Sequence, residues 1–168
     1  MKTLTILRHA KSSWNIPDLI DFDRPLNSRG QRDAPEMGQR MKAAGIRPSL
    51  IVSSPAVRAW ATAKLIASEL NYPGEFLQRE KDLYHAGKSS LFDVIARQDE
   101  GFNSIVVVGH NPGLTDLAND LIPDLTNNLP TAGYVSVLID TDTWDLRARK
   151  SAELVVHDYP KSSKKLRD

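Results

Sequence analysis

Three short apolar runs constrain this 168-residue chain more than any other feature: Leu4-Thr5-Ile6-Leu7, Leu50-Ile51-Val52 and Ile105-Val106-Val107-Val108. Each is too short for a core helix. The third is β-branched and apolar throughout, which reads as a strand buried on both faces. Helix-like segments separate the runs. Residues 29–44 carry Met37, Met41 and Ala44 at helical spacing, with Gly45 as the stop and Pro35 marking the start of the regular helix or a kink. Ser54-Pro55 and Asn111-Pro112 both read as a polar cap followed by proline at the first helical position. The helices they open run to about Leu70 and through Leu114, Leu117 and Leu121. A strand over 75–79 and a helix over 91–97 continue the alternation. Strands over 134–139 and 154–158, with no long helix between them, suit an antiparallel edge. The order predicts an α/β fold with a mostly parallel central sheet.

The residues that follow each run carry the chemistry. The first run ends in Arg8-His9, the second in Ser54-Pro55-Ala56-Val57-Arg58, the third in Gly109-His110-Asn111-Pro112-Gly113. Parallel strands place all three ends on one edge of the sheet, where open α/β folds put their ligands. Two arginines, two histidines and two helix amino termini would converge there, and each favours negative charge. No carboxylate stands beside these histidines to complete a metal cage, so neither metal nor cofactor is expected. The expected guest is a phosphoryl group. Neutral His9 can attack phosphorus through one ring nitrogen if a backbone carbonyl holds the other N–H. Arg8, Arg58 and protonated His110 would neutralise the equatorial oxygens. Any one of these residues alone reads as structural; the convergence of the set carries the inference.

Composition removes other classes. There is no cysteine, which excludes disulfides, zinc-thiolate sites and cysteine nucleophiles. A formal net charge of +1 offers no footprint for nucleic acid or a membrane surface. No apolar stretch approaches spanning length, and too few apolar residues precede Arg8 for a signal-peptide core. The expectation is a cytoplasmic monomer with one domain over 1–160. A basic tail over 161–168 carries Lys161, Lys164, Lys165 and Arg167.

Four ordered motifs carry a resemblance over nearly the whole chain. They are Leu7-Arg8-His9-Ala10-Lys11-Ser12-Ser13-Trp14, Asp23-Arg24-Pro25-Leu26-Asn27-Ser28-Arg29-Gly30, Ser53-Ser54-Pro55-Ala56-Val57-Arg58 and Val108-Gly109-His110-Asn111-Pro112-Gly113-Leu114. The chain resembles the histidine phosphatase superfamily, with its phosphoglycerate-mutase-like three-layer sandwich, and most closely its small SixA-like phosphohistidine phosphatases. The resemblance implies that His9 is the phosphorylated nucleophile and that Arg8, Arg58 and His110 form the phosphate pocket. It makes Ser12 and Asn15 candidate secondary contacts to phosphate or substrate.

Two departures matter. Ala10 stands where the family usually has glycine. Leu83-Tyr84-His85 stands where many relatives carry a Leu-x-Glu general acid. An alkoxide leaving group gains much from a proton donor, whereas a phosphohistidine can leave as neutral imidazole. The missing glutamate therefore points to a phosphohistidine-bearing protein more than to a small phosphorylated substrate. His85 is a candidate proton donor, with Asp18, Asp21 and Asp23 as rivals. The rival functions are hydrolysis or mutase chemistry on a small phosphate ester, and a phospho-ligand binding module without turnover. Val137-Leu138-Ile139-Asp140-Thr141-Asp142 resembles an aspartate-nucleophile phosphatase motif, but Trp144 breaks it, and a turn between edge strands is expected.

Overall fold

Alternation along each strand decides which helices cover which face of the sheet. The computed structural model describes residues 1–162; Lys164, Lys165 and Arg167 of the expected tail lie outside the described residues. Six strands form one sheet: β1 (Lys2–Arg8), β2 (Leu50–Ser53), β3 (Gln78–Arg79), β4 (Ser104–Gly109), β5 (Tyr134–Asp140) and β6 (Ser151–Asp158), in the order β3-β2-β4-β1-β5-β6. The pairings β3/β2, β2/β4 and β4/β1 are parallel, and β1/β5 and β5/β6 are antiparallel. The mostly parallel sheet with an antiparallel edge stands as expected.

Among the described residues four α-helices flank it: α1 (Ser28–Ala43), α2 (Val57–Glu69), α3 (Lys88–Ala96) and α4 (Gly113–Leu121). Leu7, Ile51, Val106, Val108 and Tyr134 pack on one side with Met37, Met41, Ala63 and Ile66 of α1 and α2. Leu4, Ile6, Leu50, Val52, Ile105, Val107 and Val137 pack on the other with Leu91, Ile95, Leu114 and Leu117 of α3 and α4. Successive residues of one strand thus serve opposite cores, which is why the second and third runs show no polar interruption; in the first, the buried Thr5 hydroxyl is satisfied by donating to Ser136 Oγ at 3.1 Å. Among the described residues, no helix is long and apolar enough to cross a membrane.

Helix starts differ from the sequence reading in four places, the simplest being α3, which begins at Lys88 and not at Leu91. Helix α1 begins at Ser28, where the Asn27 side chain accepts from Gly30 N–H at 2.9 Å, and Pro35 lies inside it. Its end is as read: Gly45 takes φ +83° just past Ala44, a conformation that glycine adopts without strain. Ser54 and Pro55 precede α2 instead of opening it, because the Ser54 hydroxyl accepts from Ala56 N–H at 3.2 Å and closes a turn. Helix α4 starts after Pro112, although Asn111 still caps it by accepting from Thr115 N–H at 3.2 Å. The strand read over 75–79 shrinks to Gln78–Arg79, after a 3-10 turn at Gly74–Phe76. Because β5 runs antiparallel to β1 and Lys2 pairs with Ile139, Asp140 and Asp142 sit at the sheet edge opposite the carboxyl ends of the parallel strands. The aspartate-rich turn therefore has no part in the site.

Candidate active site

Register brings the three polar strand ends level. Arg8 pairs with Gly109, and Leu7 and Ser53 both pair with Val108. Beyond β1, His9 N–H donates to Gly109 O at 3.1 Å, while Ala132 N–H donates to both Arg8 O and His9 O. The Ala10 N–H is held by Thr62 Oγ1 of α2 at 3.0 Å, and that hydroxyl donates to Arg58 O at 2.8 Å. Helix α1 can approach this loop only through Gly30, since a Cβ there would lie 2.1 Å from Lys11 O. The His9 backbone is pinned from β4, α2 and the loop before β5.

The His9 ring is 6% exposed. Its Nδ1–H donates to Ala10 O at 2.8 Å, which leaves Nε2 as the unprotonated nitrogen, and Nε2 accepts a long hydrogen bond from Arg58 Nε–H at 3.4 Å. Burial pushes the His9 pKa down to about 3. The Ala10 carbonyl opposes that shift, and the positive charges of Arg58 and Arg8 add to it, as does His110 when it is charged. The ring is therefore neutral and carries its reactive nitrogen into the site.

His110 lies with its ring centroid 5.1 Å from that of His9. Its Nε2 is 2.7 Å from Ser54 Oγ, and its Nδ1 faces Arg58 Nη2 at 3.5 Å. Burial, then Arg58, lowers its pKa to about 4. Among protein groups alone His110 is thus neutral, first through burial and then because the adjacent guanidinium disfavours a second cation; the expected protonated form concerns the ring facing a phosphoryl group. An oxyanion would reverse the sign of that field and draw a proton onto the ring.

Arg8 Nη1 donates to Leu129 O at 3.0 Å, but its buried Nε has no partner among the described residues. Burial and the Arg58 charge push its pKa below the ordinary guanidinium value. A buried donor without an acceptor, next to a second arginine, is the signature of a site shaped for an anion. The cleft holds about 200 Å³ and is lined by Arg8, His9, Ser12, Arg58 and His110, together with Lys11, Trp14, Arg24, Asn111 and Thr131. That lining is cationic and has no carboxylate. Among the described residues no group of three or more His, Asp or Glu is placed to share a metal ion.

The structure thus gathers His9, Arg8, Arg58 and His110 as the sequence reading expected, and leaves other candidates outside. Ser12 reaches the lining, but its hydroxyl accepts from Arg24 Nη1 at 2.7 Å. Asn15 is exposed and absent from the lining. Asp18 and Asp23 are exposed and line no part of the cleft. His85 is exposed too, stacked at 3.9 Å on Tyr84 and lining a neighbouring groove with Lys81, Asp82 and Arg97. Asp21 accepts from the Tyr84 hydroxyl, Arg58 and Arg24, which hold its carboxyl well below the usual range and remove it as an acid. Sequence reasoning missed Arg24 as a wall of the cleft. Its guanidinium lies 3.5 Å over the Trp14 ring, and the signal was its place in the Asp23-Arg24-Pro25-Leu26 motif.

Comparison with known proteins agrees with this geometry. Residues 4–85 match the model of the histidine phosphatase superfamily (branch 1). An uncharacterized chloroplastic protein of Arabidopsis thaliana is 40% identical over 130 residues, 71% of this chain and 59% of that protein. A 2,3-bisphosphoglycerate-dependent phosphoglycerate mutase of Brucella ovis is 37% identical over 75 residues, 44% of this chain and 36% of the mutase. The chain therefore spans from about a third to somewhat over half of these relatives' lengths. The crystal structure of a provisionally named phosphohistidine phosphatase SixA from Agrobacterium tumefaciens superposes with a TM-score of 0.77 at 26% identity, covering 95% of this chain and 98% of that one. Fold, motif order and family model converge: over residues 4–85 the chain is similar to the histidine phosphatase superfamily, and its structure is SixA-like.

Proposed function

We propose that this chain is a metal-independent phosphatase that works through a covalent phosphohistidine on His9 and acts on phosphohistidine in a protein. The single observation that carries the reading is the His9 ring, neutral, tautomer-locked by Ala10 O and aimed with Nε2 at Arg58 in a cationic cleft. In the first step the Nε2 lone pair forms an N–P bond as the substrate's P–N bond breaks. The departing pair goes to the substrate imidazole, which leaves neutral if its other nitrogen carries a proton. Arg58 and the unspent Arg8 Nε–H meet the charge spreading over the equatorial oxygens, and His110 becomes a third donor once the anion raises its pKa. In the second step water attacks phosphorus and the pair returns to His9 Nε2. The Nδ1–H held by Ala10 O lets His9 leave as a neutral imidazole.

The lining supplies no carboxylic acid, and Asp21 stays ionised behind it, so an alkoxide would depart without such help. That favours a P–N substrate. The second reading, a small phosphate ester, draws on the likeness to the phosphoglycerate mutase over 75 residues. Measuring kcat/KM on a phosphoramidate-treated histidine protein beside small monoesters separates the two; a much higher value on a monoester would overturn the substrate assignment. His9→Ala is expected to lower turnover by at least about 10³-fold and to abolish covalent 32P labelling. Labelling that survives in His9→Ala removes the mechanism.

A further inference from the structure

Asp21 stands behind the cleft, outside its lining, yet the groups that shape the cleft meet on it. Its Oδ2 accepts from Arg58 Nη2 at 3.0 Å and from the Tyr84 hydroxyl at 2.6 Å. Its Oδ1 accepts from Arg24 Nε at 3.1 Å, and its main-chain carbonyl accepts from Arg58 Nη1 at 2.7 Å. Two bonds from the terminal nitrogens of Arg58 to one residue fix both the place and the plane of that guanidinium. With those nitrogens tied back, Arg58 Nε is the edge left facing His9 Nε2. Arg24, bound to the other carboxylate oxygen, stacks on Trp14 and holds Ser12 Oγ across the mouth.

We propose that Asp21 is a positioning residue of this site, orienting Arg58 and Arg24 toward the phosphoryl group with Tyr84 as its third donor. Both of its side-chain oxygens accept from a guanidinium, Oδ2 from Arg58 and Oδ1 from Arg24, so only a carboxylate satisfies the pair; an amide would set its NH2 against one arginine or the other. The Asp21 side chain is 41% exposed, so solvent screens these ion pairs. Its contribution therefore lies in the geometry of the forks more than in holding the fold. The kinetic consequence rests on the phosphatase reading; the geometric one does not.

The test compares Asp21→Asn, Asp21→Glu and Tyr84→Phe with wild type. Three readouts are used: kcat and KM on phosphoramidate-treated histidine protein, titration with inorganic phosphate, and the Arg58 Nε–H signal in 15N NMR, assigned by its loss in Arg58→Lys. Asp21→Asn is expected to lower kcat about 10- to 100-fold with a smaller change in KM, since displaced catalytic groups cost that much. Its Arg58 signal should lose exchange protection and phosphate should bind more weakly, although deleting a negative charge alone would tighten it. Asp21→Glu should recover part of the rate, and Tyr84→Phe should lose about threefold. An Asp21→Asn kcat within twofold of wild type, or an unchanged Arg58 signal, overturns the proposal. Should Asp21→Asn not fold, Tyr84→Phe decides on the same readouts, and wild-type values there overturn it. If wild type hydrolyses neither phosphohistidine nor monoesters, the phosphatase reading falls, while the Arg58 signal and the phosphate titration still judge Asp21.

Discussion

Strand β1 begins and ends on a basic residue, and the two ends do opposite things. At the start, Lys2 is buried, and its ammonium donates to Glu100 O at 2.7 Å and Phe102 O at 3.0 Å, with the Trp144 ring 5.2 Å away. At the end, Arg8 spends one nitrogen on Leu129 O, and its buried Nε, beside a second arginine, has no partner among the described residues. Both are cations on the same strand, seven residues long. The difference lies in how their donors are used: Lys2 is satisfied by carbonyls and closes the structure, whereas Arg8 retains donor capacity and opens a site.

The largest test of that contrast exchanges the two roles. Arg8→Ala should cost about 10²–10³ in kcat/KM, the range for removing one oxyanion donor, with little change in melting temperature. Lys2→Met should do the reverse. It strips Glu100 O of its side-chain donor, while Phe102 O keeps the Trp144 Nε1–H at 2.8 Å; the cost is about 1–3 kcal/mol of stability, and the kcat/KM of folded protein is unchanged. Paired melting and kinetic measurements check both. A Lys2→Met that loses activity while folded, or an Arg8→Ala that only loses stability, would break the comparison.

A pH titration sharpens it. His9 and His110 have pKa values of about 3 and about 4 against an unfolded value of 6.5. Between those limits the unfolded chain binds more protons, so these rings withdraw stability as pH falls from about 6.5 toward 3. NMR titration of the imidazole protons should show neither ring charging near 6.5. Inorganic phosphate should then raise the His110 value, because an anion in the cleft offsets the field of Arg58. A His9 titrating near 6.5 would contradict a desolvated nucleophile.

The smallest expected effect is Asn15→Ala. Asn15 is exposed and outside the lining, so kcat/KM should stay within about twofold, as for surface positions away from a built feature. A tenfold loss would show that this loop meets the substrate.

How much was legible follows from where each signal resides. The runs through Val52 and Val107 are consecutive and apolar, and the one through Ile6 is broken by Thr5 alone, so strand type, sheet class and the shared edge of Arg8, Arg58 and His110 could be read directly. Helix starts at Ser54 and Asn111 were misplaced because those side chains serve turns and the histidine pocket as well as caps. Asp21 was weighed only as an acid, since three aspartates in one loop look alike until something selects among them. What selects is Tyr84, 63 positions away, together with Arg58.

The residue order of this protein thus determined its α/β class, its motif spacing and the set of four side chains that gather at one sheet edge. Short-range pattern is enough for these, because periodicity and strand ends are local properties. Only the tertiary structure decided that His9 is neutral with Nε2 unprotonated, that His110 is neutral too, that Arg8 keeps an unspent donor among the described residues, and that Asp21 pairs with two arginines instead of giving up a proton. Burial and neighbouring charge decide protonation and donor supply, and both come from residues far apart in the chain that meet only when it folds.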